Sequence, residues 1–293
     1  MNVTQAELVS QPSMWESTVA LLPDVAARLP ARGSRVAILG CGTSYYVAQA
    51  AASLREAAGH GRTDAFVASE VPRRRDDYDT IVAISRSGTT TEVVRALHEF
   101  DSPVPALAVS AVDGTPVVAA ADDAILLEFA DESSVVQTRF ATSALALLRA
   151  HAGGDLQTAI ADARAALAEP LDIDPTGFSQ FVFLGRGWTV GLANEAALKL
   201  REASLSWTES YPAMEYRHGP ISTASPQTLV WLLGVDDDAL VADIAATGAT
   251  VRTGEGDPMA ELVAIQRMAV ELAVARDLDP DRPRHLTRSI VLP

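Results

Sequence analysis

Cysteine is nearly absent from this 293-residue sequence: Cys41 stands alone, so no internal disulfide can form and no cysteine-rich metal site is available. Lysine is equally scarce, since 22 of the 23 basic residues are arginine and only Lys199 is lysine. Positive charge is short overall, with 23 basic against 38 acidic residues and a formal net charge of −15. Nucleic acids and anionic membranes are recognised through clustered cations, so the balance argues against both as partners. Apolar runs are short as well. The longest, such as 229–235, fall far below the ~20 residues that span a bilayer. The first residues show no basic region followed by an apolar one, so no secretory signal is expected, and the expected compartment is the cytoplasm. What remains, 48% hydrophobic and 21% charged residues, is the balance of a globular protein, which excludes disorder and coiled coil.

Strand-like and helix-like segments alternate. The run 36–39, bounded by Gly33 and Gly40, reads as a buried strand, and 44–58 as an alanine-rich helix. A strand at 81–84 leads through SRSGTTT into a helix over 92–100; strands at 105–110 and 124–129 and a helix over 138–151 follow. Breaks at 151–155 and 172–177 enclose a helix over 156–169. The pattern then restarts with a strand at 181–184, a glycine turn at 185–187 and a helix over 189–205. A strand at 229–235, a helix over 239–246, a short strand at 250–253 and a helix over 259–276 complete it. Such alternation predicts an α/β fold with parallel sheets. The halves open alike, VAILGCGTSYYVAQAAASLRE against FVFLGRGWTVGLANEAALKLRE, which points to an internal duplication. The expected organisation is a helical lead at 1–34, a first domain at 35–152, a helix-containing linker at 153–177 and a second domain at 178–293. Each domain is expected to be a doubly wound parallel-sheet lobe.

Two strand-to-helix loops sit where open parallel sheets bind ligands. The first, Gly40-Cys41-Gly42-Thr43-Ser44, lacks the third glycine of a dinucleotide fingerprint because Tyr45 stands there. A plain tight turn remains its alternative. The second, Ser85-Arg86-Ser87-Gly88-Thr89-Thr90-Thr91, holds five hydroxyls in seven residues. Hydroxyl donors, close backbone N–H groups and a helix N-terminus suit a phosphate monoester, with a helix-capping loop as the alternative. No phosphate-binding G-x-x-x-x-G-K-[ST] motif is present.

Glu195, Lys199 and Glu202 fall at i, i+4 and i+7, within about 60° around a helix axis, so they share one face. Two carboxylates flanking an ammonium suit a tuned general base; a solvated salt-bridge ladder is the competing reading. Downstream, His218 precedes Gly219-Pro220 and reads either as a placed acid/base or as a structural histidine. His60, His98 and His151 receive no role. No residue spacing suggests a metal, no cofactor is implied, and no G-x-S-x-G elbow supports hydrolysis by a serine triad.

Seven segments in order then resemble the tandem sugar isomerase (SIS) domain family, most closely the isomerase half of glucosamine-6-phosphate synthase. They are CGTS at 41–44, SRSGTTTE at 85–92, ESSVVQTRFAT at 132–142, LGRG at 184–187, EAALKLRE at 195–202, EYRHGP at 215–220 and DPDRPRHLTRS at 279–289. The resemblance runs over 36–292 and implies two flavodoxin-like lobes, with a C-terminal segment contributing to the active site. It implies phosphate contacts at Thr43, Ser44, Ser85, Ser87 and Thr90, and further substrate contacts at Cys41, Gly42, Arg86, Val135 and Arg288. It also implies that Glu202 shuttles the proton between C1 and C2, that Glu195 and Lys199 orient it, and that His218 assists ring opening. That histidine usually comes from the partner subunit, so a homodimer is expected.

The departures from the synthase are specific. Residue 2 is Asn rather than the cysteine nucleophile of a glutaminase domain, so glutamine hydrolysis is not expected. The synthase's imine-forming lysine is matched by Arg288, whose guanidinium stays protonated. Arg86 and Arg139 replace its Gln and Lys. The expectation is a phosphosugar isomerase acting on a hexose or amino-sugar 6-phosphate, with release of ammonia where the 2-substituent is an amine. A non-catalytic phosphosugar sensor or regulatory subunit is the alternative.

Overall fold

The two apolar runs that precede a G-x-G turn become inner strands of two separate parallel sheets. The computed structural model describes residues 2–71, 77–99 and 104–292; Phe100, at the end of the helix expected over 92–100, lies outside the described residues, as do Met1 and Pro293. The chain divides into two compact units. A first unit joins Ser10–Leu156 to Thr287–Pro293, and a second joins Met1–Val9 to Gln157–Leu286.

After α1 (Val3–Val9), which belongs to the second unit, the first unit runs α2 (Gln11–Val25), β1 (Val36–Gly40), α3 (Thr43–Ala57), β2 (Thr63–Val67), β3 (Thr80–Ser85) and α4 (Thr91–His98). It continues through β4 (Ala106–Ser110), α5 (Pro116–Ala120), β5 (Asp123–Leu126) and α6 (Arg139–His151). The sheet order is β2-β1-β3-β4-β5, every pair parallel. β1 and β4 are buried along their whole length, and β3 at every residue but its first. That burial explains their unbroken apolar sequence. Helix α2 lays Trp15 into the core, where its indole N–H donates to Thr142 Oγ1 at 2.9 Å. The polar edge of the ring is therefore satisfied in a site with no access to water.

The second unit continues with α7 (Gln157–Ala168), β6 (Gln180–Gly185), α8 (Thr189–Ser204), β7 (Trp207–Pro212) and β8 (Thr228–Leu233). It ends with α9 (Asp238–Ala245), β9 (Thr250–Thr253) and α10 (Pro258–Ala275). Its sheet, β7-β6-β8-β9, is again parallel and repeats the first four positions of the other sheet. α10 packs on α7, α8 and α1. Asp281, from the last of the seven motifs, accepts the N–H groups of Val3 and Thr4 at 2.9 and 2.7 Å and so holds the start of α1.

Gly40 and Gly185 hold the same position in the two units. A Cβ on Gly40 would lie 2.5 Å from the Ser44 carbonyl carbon, and one on Gly185 would lie 2.5 Å from the Val190 nitrogen. The first turn of the following helix packs onto the end of the strand in both, and only glycine allows that approach.

The structure adds two strands that the sequence pattern does not announce, β2 and β7. Each pairs on one side only, with β1 and β6 respectively, and carries polar residues along it. β5 is also shorter than the strand expected over 124–129, because Glu128–Ala130 turn into a 3-10 helix. Among the described residues no helix is long and apolar enough to cross a membrane.

Candidate active site

In the first unit, two loops open helices at the carboxyl end of the sheet. Thr43 and Ser44 begin α3 and are each 4% exposed. Cys41 precedes them; burial, with the nearby Glu92 carboxylate, pushes its thiol up to about 11, so it stays neutral at physiological pH. Ser85 closes β3, and its buried hydroxyl has no hydrogen-bond partner among the described residues. Thr90 occupies the N-cap position of α4, and its side chain makes no capping hydrogen bond among the described residues. Between them the hydroxyls of Ser87, Thr89 and Ser289 lie within 2.8 to 3.1 Å of one another. Ser289 comes from the segment 287–292, which runs along this loop: the Thr91 N–H donates to the Ile290 carbonyl and the Leu292 N–H to Thr91 Oγ1.

Arg86 does not point its charge into open solvent. It is 2% exposed, and its guanidinium donates to the carbonyls of Ser134, Arg288 and Val135 at 2.8, 2.9 and 3.4 Å. The Glu132 carboxylate lies 3.8 Å away. Glu132 also accepts the N–H groups of Thr138 and Arg139 at 2.6 and 2.9 Å, and so caps α6. Arg288 pairs with Asp131, and the Arg139 guanidinium donates to the Asp131 carbonyl. Glu132 and Ser289 both lie inside the quoted motifs, yet residue type alone assigns them no task.

In the second unit, α8 carries Glu195, Lys199 and Glu202 on one face. Lys199 is 1% exposed, with Nζ 3.4 Å from Glu195 Oε1 and paired on its other side with Glu202. Glu195 is buried too, whereas the Glu202 side chain keeps 19% of its surface exposed. A solvated salt-bridge ladder is therefore excluded: a cation this deep is held by the two carboxylates bracketing it. His218 ends a 3-10 helix, Ala213–His218, and is exposed. Tyr216, two residues earlier, is fully buried against Tyr211 with ring centroids 5.9 Å apart; burial pushes its hydroxyl up to about 12. Arg217 pairs with Asp243 and Asp237, so the residues just before His218 are anchored while its own ring faces outward.

A further cleft lies elsewhere in the second unit. It encloses about 600 Å³ among α7, β9 and α10, with Asp162, Glu169, Arg252 and Glu261 on its walls. None of the motif residues lines it.

No family model matches the sequence. A glutamine–fructose-6-phosphate aminotransferase [isomerizing] from Halobacterium salinarum is 30% identical over 308 residues, covering 87% of this chain and 51% of that protein. The chain spans about half the length of the curated relatives it matches. Among solved structures, a glucosamine-6-phosphate deaminase from Thermotoga maritima superposes with a TM-score of 0.84 at 25% identity, covering 99% of this chain and all of that one. A tagatose-6-phosphate ketose/aldose isomerase from Escherichia coli superposes with a TM-score of 0.80 over the whole chain and 96% of its own, and at 18% identity that likeness is one of fold. The chain is thus a homologue of the isomerizing aminotransferases with the fold of phosphosugar isomerases, and its resemblance to the tandem sugar isomerase family is shown by sequence and by structure alike.

Proposed function

We propose that the chain is a phosphosugar isomerase of the tandem type, acting on a hexose or amino-sugar 6-phosphate. The observation that carries this reading is the α8 cluster: a lysine buried between two carboxylates, only one of which, Glu202, reaches solvent. A carboxylate fixed in orientation by a buried ammonium, with one edge open, is equipped to take a proton and return it. Glu202 would remove the C2 proton of the open-chain aldose and deliver it to C1 of the enediol, giving the ketose. Where C2 carries an amine, the same transfer gives the C2 ketimine. Water hydrolyses that to the ketose phosphate and ammonia, so deamination needs no redox partner. The hydroxyls of Thr43, Ser44, Ser85, Ser87 and Thr90 would take the phosphate. The buried Ser85 hydroxyl, without a partner among the described residues, supports an acceptor arriving there.

Several finer expectations belong to the same proposal. The two units are copies of one domain, as the repeated strand order and the paired glycines support, corresponding to the expected domains at 35–152 and 178–293 except that Thr287–Pro293 groups with the first unit. The protein acts in the cytoplasm as a homodimer, in which the exposed His218 assists ring opening at the neighbour's site. It hydrolyses no glutamine itself: its one cysteine, Cys41, holds its proton to about 11 and is no ready nucleophile. Arg288, paired with Asp131, orients this loop or the substrate instead of forming an imine. The test is Glu202→Gln, which is expected to abolish turnover of glucosamine 6-phosphate or fructose 6-phosphate and to retain binding. A fully active variant sinks the assignment. A wild-type protein that binds both and converts neither is a sensor.

A further inference from the structure

We infer that Arg86 is a positioning residue that fastens the segment 287–292 along the hydroxyl loop, and that the Ser289 hydroxyl so held is a further anion ligand. The inference rests on reading that loop as the phosphate site. A cation in the middle of SRSG would ordinarily be taken as a phosphate ligand. Its geometry argues otherwise. With 2% of its surface exposed, Arg86 reaches the carbonyls of Ser134, Val135 and Arg288, which stand 48, 49 and 202 positions away in sequence. Glu132 balances its charge at 3.8 Å. A planar fork of five donors can tie several segments at once, which a lysine or a glutamine cannot reproduce.

The carbonyl that Arg86 holds belongs to Arg288, so the next residue is placed by it. Ser289 Oγ then stands 3.1 Å from Ser87 Oγ and 2.8 Å from Thr89 Oγ1. Two further attachments fix the same stretch: Thr91 N–H to the Ile290 carbonyl at 3.1 Å, and Leu292 N–H to Thr91 Oγ1 at 2.8 Å. Hydroxyls clustered at the opening of α4 satisfy one another only with neutral bonds. A phosphate offers ionised acceptors, whose hydrogen bonds are about twice as strong, so the cluster turns its protons outward to it. Ser289 adds one donor to the loop, and Arg86 keeps it there.

Inorganic phosphate is the probe, titrated calorimetrically into the full chain. Loss of one hydrogen bond to a charged group is worth roughly tenfold or more in affinity. Ser289→Ala is expected to weaken phosphate about tenfold by that measure, and Arg86→Gln by a similar factor, with Arg86→Lys between. The Arg86→Gln/Ser289→Ala pair is expected to be no weaker than either single variant, because both remove the same donor. Amide exchange of 287–292 should quicken in the Arg86 variants and stay unchanged in Ser289→Ala. Full affinity in Ser289→Ala, which removes only one half-buried hydroxyl, overturns the ligand claim. Additive losses in the double variant overturn the positioning claim and make Arg86 a direct ligand. If Arg86→Gln fails to fold, Arg86→Lys with unchanged exchange of 287–292 overturns it instead. Ser87→Ala separates the underlying reading: unchanged phosphate affinity there refutes the loop as the phosphate site, while the exchange measurement still decides what Arg86 holds.

Discussion

At the scale of single residues, the protein's one lysine is also its most deeply placed cation among the described residues of α8. Replacing it tests what its two carboxylates need. Lys199→Met takes the ammonium from between Glu195 and Glu202, and breaking a buried pair in this way costs about 3–5 kcal/mol, read as a lower midpoint in urea unfolding. Glu202→Gln removes the more exposed partner, so its unfolding midpoint should move much less than that of Lys199→Met. The contrast separates a residue that holds the site from one that works in it. Cys41 gives a second test. Its thiol keeps its proton up to about 11, above the ordinary cysteine value. The folded state therefore binds the extra proton between those values, and this contribution to stability is present below them and lost as pH rises through the window. Alkylation by iodoacetamide at neutral pH should accordingly be far slower than for free cysteine; an ordinary rate would refute the burial argument.

At the scale of elements, the two strand-to-helix junctions behave as one design used twice. Gly40→Ala and Gly185→Ala each drive a methyl into the backbone of the next helix, at a cost of about 1–3 kcal/mol or more from overpacking. Both are expected to lower the melting temperature; a neutral result at either would show that the helix can move away. The same junctions show what the sequence makes legible. Inner strands such as β1, β3, β6 and β8 are buried on both faces, so their apolar runs stand out against the alanine-rich helices that follow. β2 and β7 do not stand out, because an edge strand with one partner tolerates Asp64 or Glu209 and can end on Pro212. The site divides in the same way. Spacing alone puts Glu195, Lys199 and Glu202 on one face, yet only packing shows that the face is buried. The hydroxyl loop is visible in composition. The partner it gains from 202 positions away, through Arg86 and Ser87, is not.

At the scale of the whole molecule, a net charge of −15 leaves anion binding to local donors, a matter of hydroxyls and helix N-termini and not of a broad basic field. A homodimer with His218 working at the neighbour's site makes a further prediction. Glu202→Gln and His218→Asn are each expected to be inactive alone. Exchanged together, they should regain activity, since one site of each mixed dimer has both groups, about a quarter of all sites in a random mixture. A strictly monomeric mass, or no regain on mixing, would contradict that arrangement.

The central claim is that Glu202 moves a proton between C1 and C2 of a phosphosugar. Proton NMR of glucosamine 6-phosphate with the protein in D2O follows it directly, through the C2–H signal, the ketose signals and ammonia together. The account predicts loss of the C2–H signal with the wild-type protein and its full retention with Glu202→Gln. Exchange at the wild-type rate in Glu202→Gln, or an untouched C2–H under saturating wild-type protein, would contradict it.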